Sequence, residues 1–148
     1  VLSNNQQETL NALQLAGFDA DDIPALMGNI DIETGGSFSY TQMQNKGSGY
    51  GLFQFDGGHK KAYFNWLESI GLDDSANSQA TFVYNNIYGK KHPYDLGWKA
   101  RGMLKEAFNG NSAQDKASTF SNVYERPSKP HMERRINSTL KFEGLLAG

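Results

Sequence analysis

Two stretches decide how this chain is read: Gly28-Asn29-Ile30-Asp31-Ile32-Glu33-Thr34-Gly35, and Gly49-Tyr50-Gly51-Leu52-Phe53-Gln54-Phe55-Asp56. The first closes an apolar helical stripe. Asp21 or Asp22 as N-cap, Pro24 in the first turn, and Ile23, Leu26, Met27 and Ile30 at helical spacing predict a helix that Gly35-Gly36 breaks. Glu33 lies one step along that stripe and leans toward the core. A glutamate in the last turn meets an unfavourable helix dipole, and partial burial disfavours its charge. Both effects hold the carboxyl protonated to high pH, as a general acid requires. An ion pair with Lys or Arg is the other role such a residue takes. Asp31 projects about 200° around the same helix and reads as a solvated surface carboxylate.

The second stretch changes the periodicity. Phe38 and Tyr40 alternate with polar residues, Gly47-Ser48-Gly49 supplies a turn, and Tyr50 to Phe55 suits a second short strand, so a small hairpin or irregular sheet is expected. Gly49 and Gly51 flank Tyr50 and permit close approach of a ligand, and the Gln54 amide both donates to and accepts from sugar hydroxyl or acetamido groups. Asp56 follows Glu33 by 23 residues. If the segment folds back over the helix end, two carboxylates meet in one cleft, the minimal apparatus for glycosidic cleavage. Asp56 before Gly57-Gly58-His59 is equally ordinary N-cap chemistry.

Outward from these stretches the pattern is helical. Ser3 and Gln6 have capping-box spacing, with Leu10, Leu13 and Ala16 on one face and Gly17 at the end. Tyr63, Trp66, Leu67 and Ile70 form another stripe. Asp73 or Asp74 opens a helix with Phe82, Val83 and Ile87 inward. Tyr94 to Phe108 is helical but weakened by two glycines. Ser112 and Asp115 start a helix through Phe120 and Tyr124 that Pro127 stops, and a last helix carries Met132, Ile136 and Leu140. The expected fold class is α+β and mostly helical, with about seven helices beside the small β element.

The 148 residues suit one domain, with a core large enough to need no disulfide; Cys is absent. Net charge is −2 with pI about 5.9, unlike a nucleic-acid protein. No apolar run approaches the length of a spanning helix. His59, His92 and His131 lack metal-site spacing, so neither a metal nor a cofactor is expected. The chain begins at Val1, as a mature or excised segment would. Aromatic residues reach 12%, which fits an aromatic-lined, glycan-handling surface or simply a Phe-rich core. Lys60-Lys61, Lys90-Lys91-His92 and Arg134-Arg135 read as solvated faces that also steer toward an anionic wall.

The two opening stretches resemble the Glu-Ser-x-Gly and Gly-Leu-Met-Gln pair of goose-type lysozymes and lytic transglycosylases. Gln54-Phe55-Asp56-Gly57-Gly58-His59 running into a Trp66-bearing helix, with Tyr124-Glu125-Arg126-Pro127 near the end, resembles the phage tail-lysozyme family of peptidoglycan hydrolases. The resemblance spans about Asp21 to Arg135 and implies a lysozyme-like fold. By that likeness Glu33 protonates the glycosidic oxygen between N-acetylmuramic acid and N-acetylglucosamine. Asp56 matches an aspartate that activates water in goose-type lysozymes, where tail lysozymes often carry Thr. Without such a base the outcome is the anhydro sugar of a lytic transglycosylase. Tyr50, Gly51, Phe53, Gln54 and His59 are candidate substrate contacts. Tyr124 and Glu125 are carried over as neighbours of the catalytic Glu, while Arg126 reads as a helix-locking residue. A glycan-binding module that kept the cleft without turnover is the rival reading. Peptidoglycan is the implied partner, together with other virion tail proteins, and the implied location is the virion or the bacterial periplasm and wall.

Overall fold

The structure is a computed structural model that describes residues 1–147. Its helices are α1 (Asn4–Ala16), α2 (Ile23–Glu33), α3 (Gly57–Ile70), α4 (Ala76–Tyr88), α5 (Trp98–Phe108), α6 (Ala113–Thr119) and α7 (Met132–Leu146), with a π-helical turn, Phe120–Glu125, continuing α6. The expected capping box starts α1: the Gln6 N–H donates to Ser3 Oγ, and the Ser3 N–H donates back to Gln6 Oε1. Every residue of α2 from Ile23 to Ile30 is buried, as suits a helix enclosed on all sides. Its broadest packing is against α7, while α1 lies on α4 and α6 on α7. Glu33 is therefore the last residue of the central helix.

The β element is not seen. Among the described residues, positions 38–56 hold only two isolated bridges, Met43 with Tyr50 and Tyr50 with Phe55, so the fold is all-helical rather than α+β. Backbone geometry gives the reason. Gly51 at φ 84° and Gln54 at φ 52° turn the chain back within a few residues, and Tyr50 and Phe55 exchange N–H···O bonds of 3.0 and 2.9 Å across that loop. Side-chain amides replace a strand ladder. Gln79 of α4 accepts from the Leu52 N–H and donates to the Tyr40 carbonyl, both at 2.8 Å, and Gln54 donates to the carbonyls of Gln42 and Gly51.

Several helix starts and faces also differ from expectation. Ser75, not Asp73 or Asp74, caps α4, because Asp74 accepts hydrogen bonds from Tyr50, Tyr63 and Gln79. Asp22 precedes α2 but makes no cap bond; it pairs at 2.8 Å with the buried Lys116. The Tyr94 N–H is held by Asn86, so α5 begins only after Gly97. The buried face of α7 is Arg135, Ser138, Thr139 and Phe142, with Met132 and Ile136 half-buried and Leu140 exposed.

That face is set by contact with α2. A Cβ on Gly28 would lie 2.1 Å from Thr139 Oγ1 and 2.7 Å from its backbone nitrogen, so the two helices meet backbone to backbone. Gly28→Ala should therefore destabilise the protein by about 1–3 kcal/mol through overpacking. Urea unfolding measures this, and a change within about 0.5 kcal/mol, the size of a neutral surface substitution, would show that the helix pair has slack.

Candidate active site

A cleft of about 640 Å³ opens between three segments of the fold. The 50s loop and the start of α3 contribute Phe53, Gln54, Asp56 and His59. The approach to α5 and its first turns contribute Tyr94 to Leu96, Lys99, Ala100 and Met103. The π-helical turn and the residue after it contribute Asn122 to Arg126. Two cleft residues, Gln54 and Arg126, hold left-handed backbone at φ 52° and 49°. Such geometry costs energy in a residue other than glycine and clusters at functional sites.

Glu33 sits behind this cleft, in contact with Glu125 of its lining. Its side chain is only 13% exposed, and Oε1 lies 3.6 Å from Nη2 of Arg135, which is itself buried. The Glu125 carboxyl is in hydrogen-bonding contact with Glu33, and its own Oε1 has no hydrogen-bond partner. Burial raises the Glu33 pKa above the ordinary glutamate value, while the Arg135 charge and the Glu125 hydrogen bond act the other way. Glu125 is raised well above that value, by burial first and then by the neighbouring Glu33. Two carboxyls in contact do not both ionise readily, so the deeper Glu125 stays neutral and donates toward Glu33.

Asp56 lies on the cleft wall and is exposed. It caps α3: Oδ1 accepts from the Gly57 N–H at 2.7 Å and from the Ser48 hydroxyl. Its second oxygen makes no hydrogen bond among the described residues. His59 stacks on Tyr94 with ring centroids 4.4 Å apart, and its Nε2 meets the Tyr124 hydroxyl at 2.8 Å. Burial pushes the imidazole down to about 4, so it is neutral and Nε2 accepts that hydroxyl proton. Asn86 Nδ2 donates to the same hydroxyl oxygen at 3.0 Å. Tyr124 is thus locked in place.

The structure brings Phe53, Gln54, Asp56, His59, Tyr124 and Glu125 to one cleft. Glu33, Tyr50 and Gly51 lie outside its lining, Glu33 adjoining it only through Glu125. The Tyr50 hydroxyl donates to Asp74 and its ring packs on Phe64, while Gly51 is pressed against the Gln79 amide. Phe53 is a buried core residue that only backs the cleft. Sequence reasoning missed Arg135, read as a solvated cation yet 1% exposed. Its Nη1 donates to Asn29 Oδ1 at 2.9 Å and its Nε to the Pro130 carbonyl. The available signal was the spacing of Arg135, Ser138, Thr139 and Phe142 on one helical face, passed over because only Phe142 is strongly apolar. Arg126, expected to lock helices, is exposed on the cleft. Among the described residues, no group of His, Asp and Glu is arranged to hold a metal ion, and no helix is long and apolar enough to cross a membrane.

Residues 4–142 match the phage tail lysozyme family, and the chain belongs to that family. No curated protein matches the chain. Membership points to peptidoglycan degradation and to association with a phage tail.

The electrostatics predict a two-sided dependence of stability on pH. For the raised Glu33–Glu125 pair, the stability is fully present below the unfolded glutamate pKa and is lost as pH rises through the folded values. For the depressed His59, the stability is present above the unfolded value of 6.5 and is lost as pH falls toward about 4. In melting temperatures recorded across pH, Glu125→Gln should flatten the alkaline side, since an amide mimics the neutral acid. His59→Gln should flatten the acid side. An alkaline slope unchanged by Glu125→Gln would overturn the assignment of a neutral Glu125.

Proposed function

We propose that this member of the phage tail lysozyme family hydrolyses the β-1,4 bond between N-acetylmuramic acid and N-acetylglucosamine in bacterial peptidoglycan, with Glu33 as general acid. One observation supports the residue assignment above others: burial raises the Glu33 pKa, yet the carboxyl is backed by groups that favour its anion. A general acid needs both. Before reaction, burial favours the neutral carboxyl. As the proton passes to the glycosidic oxygen, Arg135 and the Glu125 O–H stabilise the carboxylate that forms.

Asp56 is the proposed general base. One of its oxygens is committed to the α3 cap, and the other is available to a water on the cleft side. The same cap favours a second reading. If capping is the whole role of Asp56, Glu33 acts alone, the muramic 6-hydroxyl attacks, and the product is a 1,6-anhydro sugar. Gln54, His59 and Tyr124 shape the subsite, although the Gln54 amide nitrogen is already spent on loop carbonyls, which leaves its oxygen for the ligand. A glycan-binding module without turnover is disfavoured, because a pure binder gains nothing from a half-buried carboxyl. We place the activity in one domain, carried by the virion or delivered to the periplasm and wall.

Glu33→Gln should preserve the fold and glycan binding while lowering turnover by about 10²–10⁴-fold, read as fragments released from purified peptidoglycan; an unchanged rate would sink the assignment. Mass spectrometry of the same fragments separates the two chemistries. Reducing muramic ends mean hydrolysis, and Asp56→Asn should then slow it strongly. Anhydro ends mean transglycosylation, with Asp56→Asn lowering only the melting temperature.

A further inference from the structure

The charges lining the cleft are not equally available. Its acids are Asp56, Asp95 and Glu125, and its cations are Lys99 and Arg126. Two of the acids face cations, and the third, Asp56, is held by hydrogen bonds through one oxygen. Asp95 Oδ1 accepts from Arg101 at 2.5 Å and from the Gly97 N–H at 2.9 Å. Asp56 is bound to Gly57 and Ser48. Glu125 faces Glu33 and Arg135. Both cations, by contrast, are exposed, and among the described residues neither forms an ion pair. The Lys99 ammonium rests 5.8 Å from the centroid of the Trp98 ring, a contact that a stronger acceptor would displace. Arg126 keeps its long side chain at a left-handed position that glycine would take without strain. The cleft therefore presents two exposed cations without an ion pair, while Asp95 is paired with Arg101 and Glu125 faces Glu33 and Arg135, so both cations are open to an anionic ligand.

A neutral glycan has no use for two unpaired cations. In peptidoglycan the anionic groups are carboxylates carried on the muramic acid substituent, and a guanidinium fork and an ammonium suit them. We propose that Lys99 and Arg126 bind those carboxylates, the stem peptide's first of all, so that the cleft selects peptide-bearing glycan over neutral glycan. This rests on the peptidoglycan reading of the cleft and adds to it the part of the substrate that sets specificity. The two residues touch the substituent rather than the scissile bond, so their effect falls on binding.

Binding of soluble glycan strands to the Glu33→Gln protein, measured by titration calorimetry, tests this without interference from turnover. Three ligands are compared: peptide-bearing strands, strands stripped by an amidase, and a neutral N-acetylglucosamine oligomer. Lys99→Met combined with Arg126→Asn, the latter a residue that tolerates left-handed backbone, should weaken binding of peptide-bearing strands by about tenfold and leave the neutral oligomer unaffected. Added salt should weaken the parent's binding of the same strands. Loss confined to peptide-bearing strands assigns the contact to the stem peptide. Loss on stripped strands as well means that the two cations accept the lactyl carboxylate exposed by the amidase in place of the stem-peptide carboxylates, so that charge on the muramic substituent is what they read. Equal loss on the neutral oligomer, no loss on any ligand, or no binding of any strand overturns the proposal. Cleavage of peptidoglycan by the Glu33-bearing protein, assayed alongside, shows whether the glycosidase reading survives such a failure.

Discussion

The architecture depends on a guanidinium buried between two helices. Arg135 of α7 reaches Asn29 and Glu33 of α2 and the Pro130 carbonyl just before its own helix. A charge removed from water this completely is stable only with its donors matched, and here an amide, a carbonyl and a carboxylate share them. The same contact requires the helices to approach closely, which Gly28 against Thr139 permits. Asn29 also ties α2 to α6, since its Nδ2 donates to the carbonyls of Ala25 and Ala117. Packing of the central helix and the setting of Glu33 are therefore one arrangement. Glu33 sits at the end of α2 beside the group that fixes that helix against α7.

One wall of the cleft is set by the π-helical turn. Continuing α6 with wider winding over Phe120–Glu125 places Phe120 and Tyr124 in parallel rings 4.9 Å apart and directs Glu125 inward to Glu33. Such segments are uncommon and recur at functional sites. Aromatic contacts brace it, with Tyr124 edge-on to both Phe53 and His59. Below the cleft floor, Gln79 and Asp74 hold the 50s loop by side-chain hydrogen bonds in place of a sheet. The cleft thus has little ladder structure and relies on buried amides and rings.

Much of this was legible in the sequence, and the failures have physical causes. Helix ends were readable where a local signal sets them, as with Ser3 and Gln6, Gly17, and Pro24 in the first turn of α2. Glu33 at the edge of an apolar stripe was readable because helical period alone places it. The 38–56 segment misled because alternation of Phe38 and Tyr40 is a strand signal, whereas the loop's shape is decided by Gln79, a residue of another helix. Asp22 and Asp74 looked like caps, and partners distant in sequence claimed both of them. Arg135 was hidden for the same reason: its burial is favourable only once Asn29 and Glu33 are brought to it.

The carboxyl pair illustrates how two opposing effects coexist at one atom. Burial alone would hold Glu33 neutral and make its anion costly, so proton donation would be slow. Arg135 alone would strip the proton before any substrate arrived. With burial the larger effect and the cation at 3.6 Å the smaller, the Glu33 pKa is raised while its anion is still supported, the balance that the proposed general acid needs. At that separation a unit charge is worth several kcal/mol at an effective dielectric of about 20, a support for the carboxylate as it forms. Glu125 makes this tolerable. As the more deeply buried partner it stays neutral, so Glu33 faces a hydrogen-bond donor rather than a second negative charge. An ionised Glu125 would compete for Arg135 and hold the Glu33 proton too tightly for it to leave. The neutrality of Glu125 is therefore the condition under which Glu33 can serve as the proposed acid.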